Sequence, residues 1–149
     1  MYRSAAGTLA RTSSSHPSFL ARSPWSIIHE MRVLKSETEI EIMQIAADIA
    51  AEAHVEAMKA VRAGMKEYEV EALIESVFRR HGSAGPSYTS IIGSGANATV
   101  LHYITNMDTL KDGDLLLVDA GAEYKGYASD ITRTFPVNGK FTQAQRKIY

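Results

Sequence analysis

LLLVDAGAEYKGYASDITRTFPV, residues 115–137, reads as two extended runs joined by a turn at Tyr124-Lys125-Gly126-Tyr127. Each run carries one aspartate, Asp119 and Asp130. A two-residue loop at Tyr124-Lys125 sets the two directly opposite each other. A four-residue loop shifts the pairing by two and sets Asp119 opposite Thr132. Because strand side chains alternate faces, either register puts both carboxylates on one face. Their Cβ atoms then lie roughly 4.5–8 Å apart, where like charges repel. Two carboxylates aimed at one point share a cation or a proton.

Asp119 follows Leu115–Val118, apolar at every position, the pattern of a strand buried on both faces. A carboxylate there is costly unless paired or metal-bound. The alternative is an aspartate at the point where the strand emerges into solvent. Asp130 sits in the alternating segment Tyr127–Thr132, where a solvent-facing aspartate is ordinary. The shared face is what joins the two into one candidate site.

Upstream, Ser36 and Glu39 form a capping box that opens a helix running to Ala63, with Gly64 as its stop. Ile42, Ile45, Ile49, Ala53 and Ala57 mark its buried stripe, flanked by Ala46, Ala50 and Val61. His54 falls on the polar side. A second helix is expected over Glu67–Arg80, with Val70, Leu73, Ile74, Val77 and Phe78 inward and Arg79, Arg80 and His81 favourable against its dipole. Tyr88–Ile92 and Thr99–Ile104 are strand candidates, and His102 lies in the second. A strand histidine is commonly a satisfied, partly buried side chain; it is also a candidate ligand, proton donor or substrate contact. Gly93–Ala98 resembles a phosphate cradle only loosely, lacking a P-loop lysine and a following helix. Thr142 and Gln145 announce a further helix, inside which the sequence stops, as a fragment would.

Outside these elements, Trp25–Ile28 is expected to be an edge strand or packed connector. The first twenty-six residues hold Arg3, Arg11 and Arg22, many serines and no acid. Residues 1–24 are therefore expected to be a linker, the remnant of an upstream domain, or a transit segment. A net charge of −1 supplies no basic excess for nucleic acid. No apolar run approaches the ~18 residues of a membrane span. Cysteine is absent, which removes thiolate metal sites and a cysteine nucleophile. HExxH and GxSxG are absent as well, and Ser94 has no evident base.

Gly93-Ser94-Gly95, Leu101-His102-Tyr103, Asp112-Gly113-Asp114, Val118-Asp119-Ala120-Gly121, and Ser129-Asp130-Ile131-Thr132-Arg133-Thr134 through Thr142 together closely resemble the Xaa-Pro aminopeptidases. These are the proline-specific branch of the pita-bread metallopeptidases. His29–Arg32 and Lys35-Ser36 extend the resemblance to about residues 25–149. It implies an α+β fold, an incomplete pita-bread catalytic domain over 25–149 with two helices followed by an antiparallel, hairpin-rich sheet. It implies that Asp119 and Asp130 are metal ligands, Asp130 bridging two ions, and that His102 contacts the substrate or its tetrahedral intermediate. The remaining ligands of that family, a histidine and two glutamates, have no counterpart here: no histidine follows His102 and no glutamate follows Glu123.

Such a ligand set suits two divalent ions, Mn²⁺ first, with Zn²⁺, Co²⁺ or Fe²⁺ as alternatives. Two ions supply a hydroxide at neutral pH and stabilise the developing oxyanion. The implied substrate is a peptide with proline second, cleaved before that proline. The implied protein is a cytoplasmic homo-oligomer, or a mitochondrial one if residues 1–24 are a transit peptide, with no nucleic-acid or membrane partner. An Xaa-Pro dipeptidase is the nearest alternative; a pita-bread binding module without catalysis is another, which the downstream ligands would separate. Alone, the chain is expected to be inactive, to bind metal weakly and to fold marginally, with Leu115–Val118 and Ile131–Phe135 as exposed edges.

Overall fold

The computed structural model describes residues 23–149, so the expectations for the N-terminal stretch fall almost wholly outside the described residues. The described residues divide into two units, 23–34 and 35–149. In the first, Trp25–Val33 is a helix, α1, rather than the expected strand or connector. Its signals are local. The Ser23 hydroxyl accepts the Trp25 N–H, Pro24 precedes the first turn, and the Trp25 and His29 rings meet one turn apart.

The second unit opens on α2, Glu37–Ala60, whose first turn is closed by the expected capping box. The Glu39 N–H donates to the Ser36 hydroxyl, and the Ser36 N–H donates to Glu39. The helix ends three residues short of expectation, at Ala60, and Gly64 instead takes a left-handed turn and donates to the Leu110 carbonyl. The buried stripe is rotated by about one position. Ala46, Ile49, Ala50, Ala53, His54 and Ala57 are inward, while Ile45 is exposed. Four of these are alanines with no exposed surface, which lets α2 approach its neighbours closely. His54, expected on the polar side, is buried. Its Nδ1 donates to the Ala50 carbonyl at 2.8 Å and its Nε2 has no partner.

Helix α3, Glu67–Arg80, has the expected bounds. It packs against α2 through Val70, Ile74, Val77 and Phe78, all fully buried. Each such side chain contributes about 1.5–3 kcal/mol by leaving water. The strands are β1 Gly85–Pro86, β2 Ile91–Ser94, β3 Leu115–Ala120, β4 Ala122–Tyr124, β5 Tyr127–Ala128 and β6 Ile131–Pro136. They form two antiparallel sheets, ordered β1-β4-β5 and β2-β3-β6. Helix α2 lies against β4, β5 and β6, and α3 against β1 and β2. The chain finishes in α4, Gln143–Ile148, with the expected Thr142–Gln145 box.

Three expectations are corrected. First, β3 is half-buried on one face, because helices cover only the side carrying Leu116, Val118 and Ala120. Second, Leu115–Val118 is not an edge, since β2 and β6 flank it; Ile131–Phe135 does lie at the edge of its sheet. Third, Thr99–Ile104 is not a strand. A 3-10 turn occupies Gly95–Thr99 and irregular backbone follows, whose side chains Tyr103 and Asn106 are tied to Glu67 and Glu71 of α3.

Candidate active site

The register of the central ribbon is the one that sets Asp119 opposite Thr132. Only Lys125 and Gly126 are left unpaired at its tip, both with positive φ, at 48° and 85°. Positive φ at both central residues is the requirement of a type I′ hairpin turn. The ribbon is not one continuous hairpin. It breaks at Gly121 on one side and at Ser129-Asp130 on the other, so that its base belongs to one sheet and its tip to the other.

Hydrogen bonds hold the break. Ser129 N–H donates to the Ala122 carbonyl at 3.0 Å, and Ala122 N–H donates to the Ser129 hydroxyl at 2.9 Å. The Ser87 N–H donates to the Gly121 carbonyl at 2.8 Å and its hydroxyl to the Ser129 carbonyl at 2.8 Å. Ser87 thereby brings the next residue, Tyr88, over the break.

Tyr88 joins the two aspartates. Its hydroxyl donates to Asp119 Oδ1 at 2.5 Å and lies 3.0 Å from Asp130 Oδ1. Two carboxylate oxygens thus converge on one point, Asp119 from half-buried backbone and Asp130 from the exposed side. A hydroxyl has one proton and can satisfy only one of them at a time. Burial, and then the hydrogen bonds to Asp119 and Asp130, push the Tyr88 phenol well above its ordinary pKa, so it stays a donor. The pair keeps more negative charge than its donor offsets, which fits a hard cation with oxygen ligands. Among the described residues, no group of three or more His, Asp or Glu side chains is arranged to hold a metal ion.

His102 is exposed, with φ 55°, on the irregular segment after the 3-10 turn. Among the described residues it shares no hydrogen bond with Asp119 or Asp130. The two aspartates are therefore brought together, and the histidine stands on a separate loop. A cavity of about 300 Å³, lined by Ser94, Asn97, Asp108, Lys111 and Asp114 among others, shares no residue with the aspartate pair.

Two residues escaped the sequence reading. Tyr88 begins a segment read only as strand and lies 31 positions from Asp119, so no local spacing marks it. Glu67 reads as an ordinary acidic first-turn residue, yet it is fully buried and accepts five hydrogen bonds.

A family model for metallopeptidase family M24 matches residues 41–149. The chain is 58% identical over 123 residues to the Xaa-Pro aminopeptidase of Escherichia coli strain K12, covering 83% of this chain and 28% of that protein. It is 50% identical over 127 residues to the Xaa-Pro dipeptidase of Mus musculus, covering 82% of this chain and 26% of that one. Among solved structures, proline aminopeptidase P II from Yersinia pestis superposes with a TM-score of 0.83 at 53% identity, covering 85% of this chain and 29% of that one. The aminopeptidase PepP of Pseudomonas aeruginosa gives 0.82 at 48%, covering 83% and 28%. The chain spans less than a third of the length of each of these relatives.

Proposed function

This chain belongs to metallopeptidase family M24, with part of the pita-bread fold, and we propose that it supplies the first two metal ligands of a proline-specific aminopeptidase. The observation that carries this reading is the convergence of Asp119 and Asp130 on the Tyr88 hydroxyl. Residues 25–149 are the opening part of the catalytic domain. Residues 1–24 precede it as a linker or transit segment.

In this reading Asp119 and Asp130 would hold divalent cations, Mn²⁺ first among them. Bound there, such ions supply Lewis acidity that makes water nucleophilic at neutral pH and offsets negative charge on the scissile carbonyl oxygen. The chain's own residues do the rest. Tyr88 orients the pair by donating its one proton to Asp119 Oδ1, with Asp130 Oδ1 3.0 Å from the same hydroxyl. His102, projecting from an exposed loop, hydrogen-bonds the substrate peptide. The substrate is a peptide with proline second, cleaved before the proline, and the protein is cytoplasmic, or mitochondrial if residues 1–24 are a transit segment, without nucleic-acid or membrane partners.

Identity at similar levels to an Xaa-Pro dipeptidase keeps a second specificity in view. The two are separated by substrate length. The protein expressed from the extended reading frame is expected to release the first residue of Xaa-Pro-Yaa tripeptides in the presence of Mn²⁺. Cleavage of Xaa-Pro dipeptides alone would assign the dipeptidase instead, and no cleavage of either would leave a binding module. The 149-residue chain by itself, with two ligands, is expected to bind Mn²⁺ weakly and cut neither peptide. Mn²⁺-dependent cleavage by the purified chain would overturn the two-ligand assignment.

A further inference from the structure

Glu67 is the one carboxylate in the described residues with no exposed surface, and the chemistry just proposed does not use it. It stands at the first position of α3 and receives donors from three separate parts of the following loop. Its Oε1 accepts the Ser94 N–H and the Ser94 hydroxyl, each at 2.8 Å, and the Asn97 side-chain amide at 3.2 Å. Its Oε2 accepts the Tyr103 hydroxyl at 2.8 Å and the Asp108 N–H at 3.0 Å. An ionised carboxylate is a pure acceptor, and every partner here donates.

These partners bracket residues 95–107, which contain His102. One turn along the same face of α3, Glu71 accepts the Asn106 side-chain amide at 2.9 Å, while Asn106 Oδ1 accepts the Ile92 N–H at 3.0 Å. The segment thus has almost no ladder of its own and hangs from two carboxylates of one helix. His102 sits between the anchors in left-handed backbone, a conformation that costs a non-glycine residue and persists only when its surroundings hold it. Its immediate neighbour Tyr103 is the residue tied to Glu67, whereas Leu101 on the other side is 86% exposed and holds nothing.

We infer that Glu67 is a positioning residue for His102, fixing through Tyr103, Asn97, Ser94 and Asp108 the loop that presents the imidazole. The value of the anchor to catalysis rests on the peptidase reading above; the anchoring itself does not. The experiment is nuclear magnetic resonance on the isotope-labelled 149-residue chain, comparing wild type, Glu67→Gln and Tyr103→Phe. Glutamine keeps the shape but replaces one acceptor oxygen with a donor that faces donors. Tyrosine to phenylalanine removes a single hydroxyl and keeps the fold testable if the first variant is too unstable.

The expected result is that the backbone shifts of His102, which report its left-handed conformation, move toward ordinary extended values in both variants. Amide exchange at Ser94 and Asp108 should accelerate by about tenfold or more in Glu67→Gln, while signals of Phe78 and Val77 in the core stay in place. His102 shifts identical to wild type in Tyr103→Phe would overturn the proposal, as would changes spread evenly over the core. Because no metal or substrate enters the measurement, a peptidase assay that fails while His102 still responds sinks the function and leaves the anchor standing.

Discussion

The Gly121 α-carbon lies so close to Ser129 that a Cβ on it would sit 1.8 Å from the Ser129 carbonyl oxygen. It would also meet the Ser87 hydroxyl oxygen at 2.7 Å. Neither neighbour can withdraw, because both are bonded across the break between the two sheets. Gly121→Ala is therefore expected to cost about 3 kcal/mol or more. Urea unfolding is the measurement, and a midpoint close to wild type would show that the break is softer than it looks. Since Asp119 lies two residues before Gly121 and Asp130 directly after Ser129, the same variant should part the two carboxylates.

Tyr88→Phe removes the hydroxyl that both aspartates face and replaces it with nothing polar. In metal-free protein this is expected to cost about 1–2 kcal/mol at neutral pH, the loss of a hydrogen bond to charged oxygen. Divalent cation should recover part of that loss, by taking over the charge the phenol had faced. Thermal unfolding with and without MnCl₂ checks both statements; a variant as stable as wild type in chelator contradicts the first.

Asp119→Asn has effects of opposite sign in the two conditions. Without metal it removes one of two like charges that share a single donor, and its side-chain oxygen still accepts from Tyr88, so stability should hold or rise by up to about 1 kcal/mol. With Mn²⁺ the variant should bind at least about tenfold more weakly. Calorimetric titration beside a denaturation curve reads both, and undiminished Mn²⁺ affinity would remove Asp119 from the ligand set.

Acid stability follows from Glu67. Burial by itself would raise its pKa, but the N–H groups of Ser94 and Asp108, with Asn97 and the Ser94 hydroxyl, outweigh burial and hold the carboxyl below its usual range. A lowered folded pKa means stability that is present above the unfolded value, about 4.3, and lost as pH falls through the folded value. Glu39, lowered first by Tyr127 and then by Ser36, also loses its bonds as the pH falls, but it sits half-buried at the start of α2 and not in the core. Glu67→Gln should thus lower stability at neutral pH and flatten the acid limb of the curve. An acid limb as steep in the variant as in wild type would assign the dependence elsewhere.

The elements that were legible in the sequence are those settled within a turn or two of chain. The boxes at Ser36–Glu39 and Thr142–Gln145 and the bounds of α3 with its apolar face follow from neighbours three, four or a few residues away. The ribbon was narrowed only to two registers; the one that pairs Asp119 with Thr132 is found, closed by a two-residue turn at Lys125-Gly126 and not by the four-residue loop expected for it. Elements whose bonds run to distant residues were not legible. Thr99–Ile104 has the composition of a strand, yet its polar groups find Glu67 and its continuation finds Glu71, more than thirty positions back. The stripe on α2 turned by a residue because alanines, not isoleucines, fit the close approach to α3 and the sheet.

By itself, the sequence placed two aspartates on one face of one ribbon, because side chains of extended chain alternate with period two. Tertiary structure decided what meets them there. Tyr88 reaches both carboxylates only because Ser87 bonds across the kink at Gly121. His102 takes its place only because a buried glutamate on α3 accepts the hydroxyl of the residue beside it. Both are hydrogen bonds between groups tens of residues apart, and such bonds leave no periodic trace along the chain.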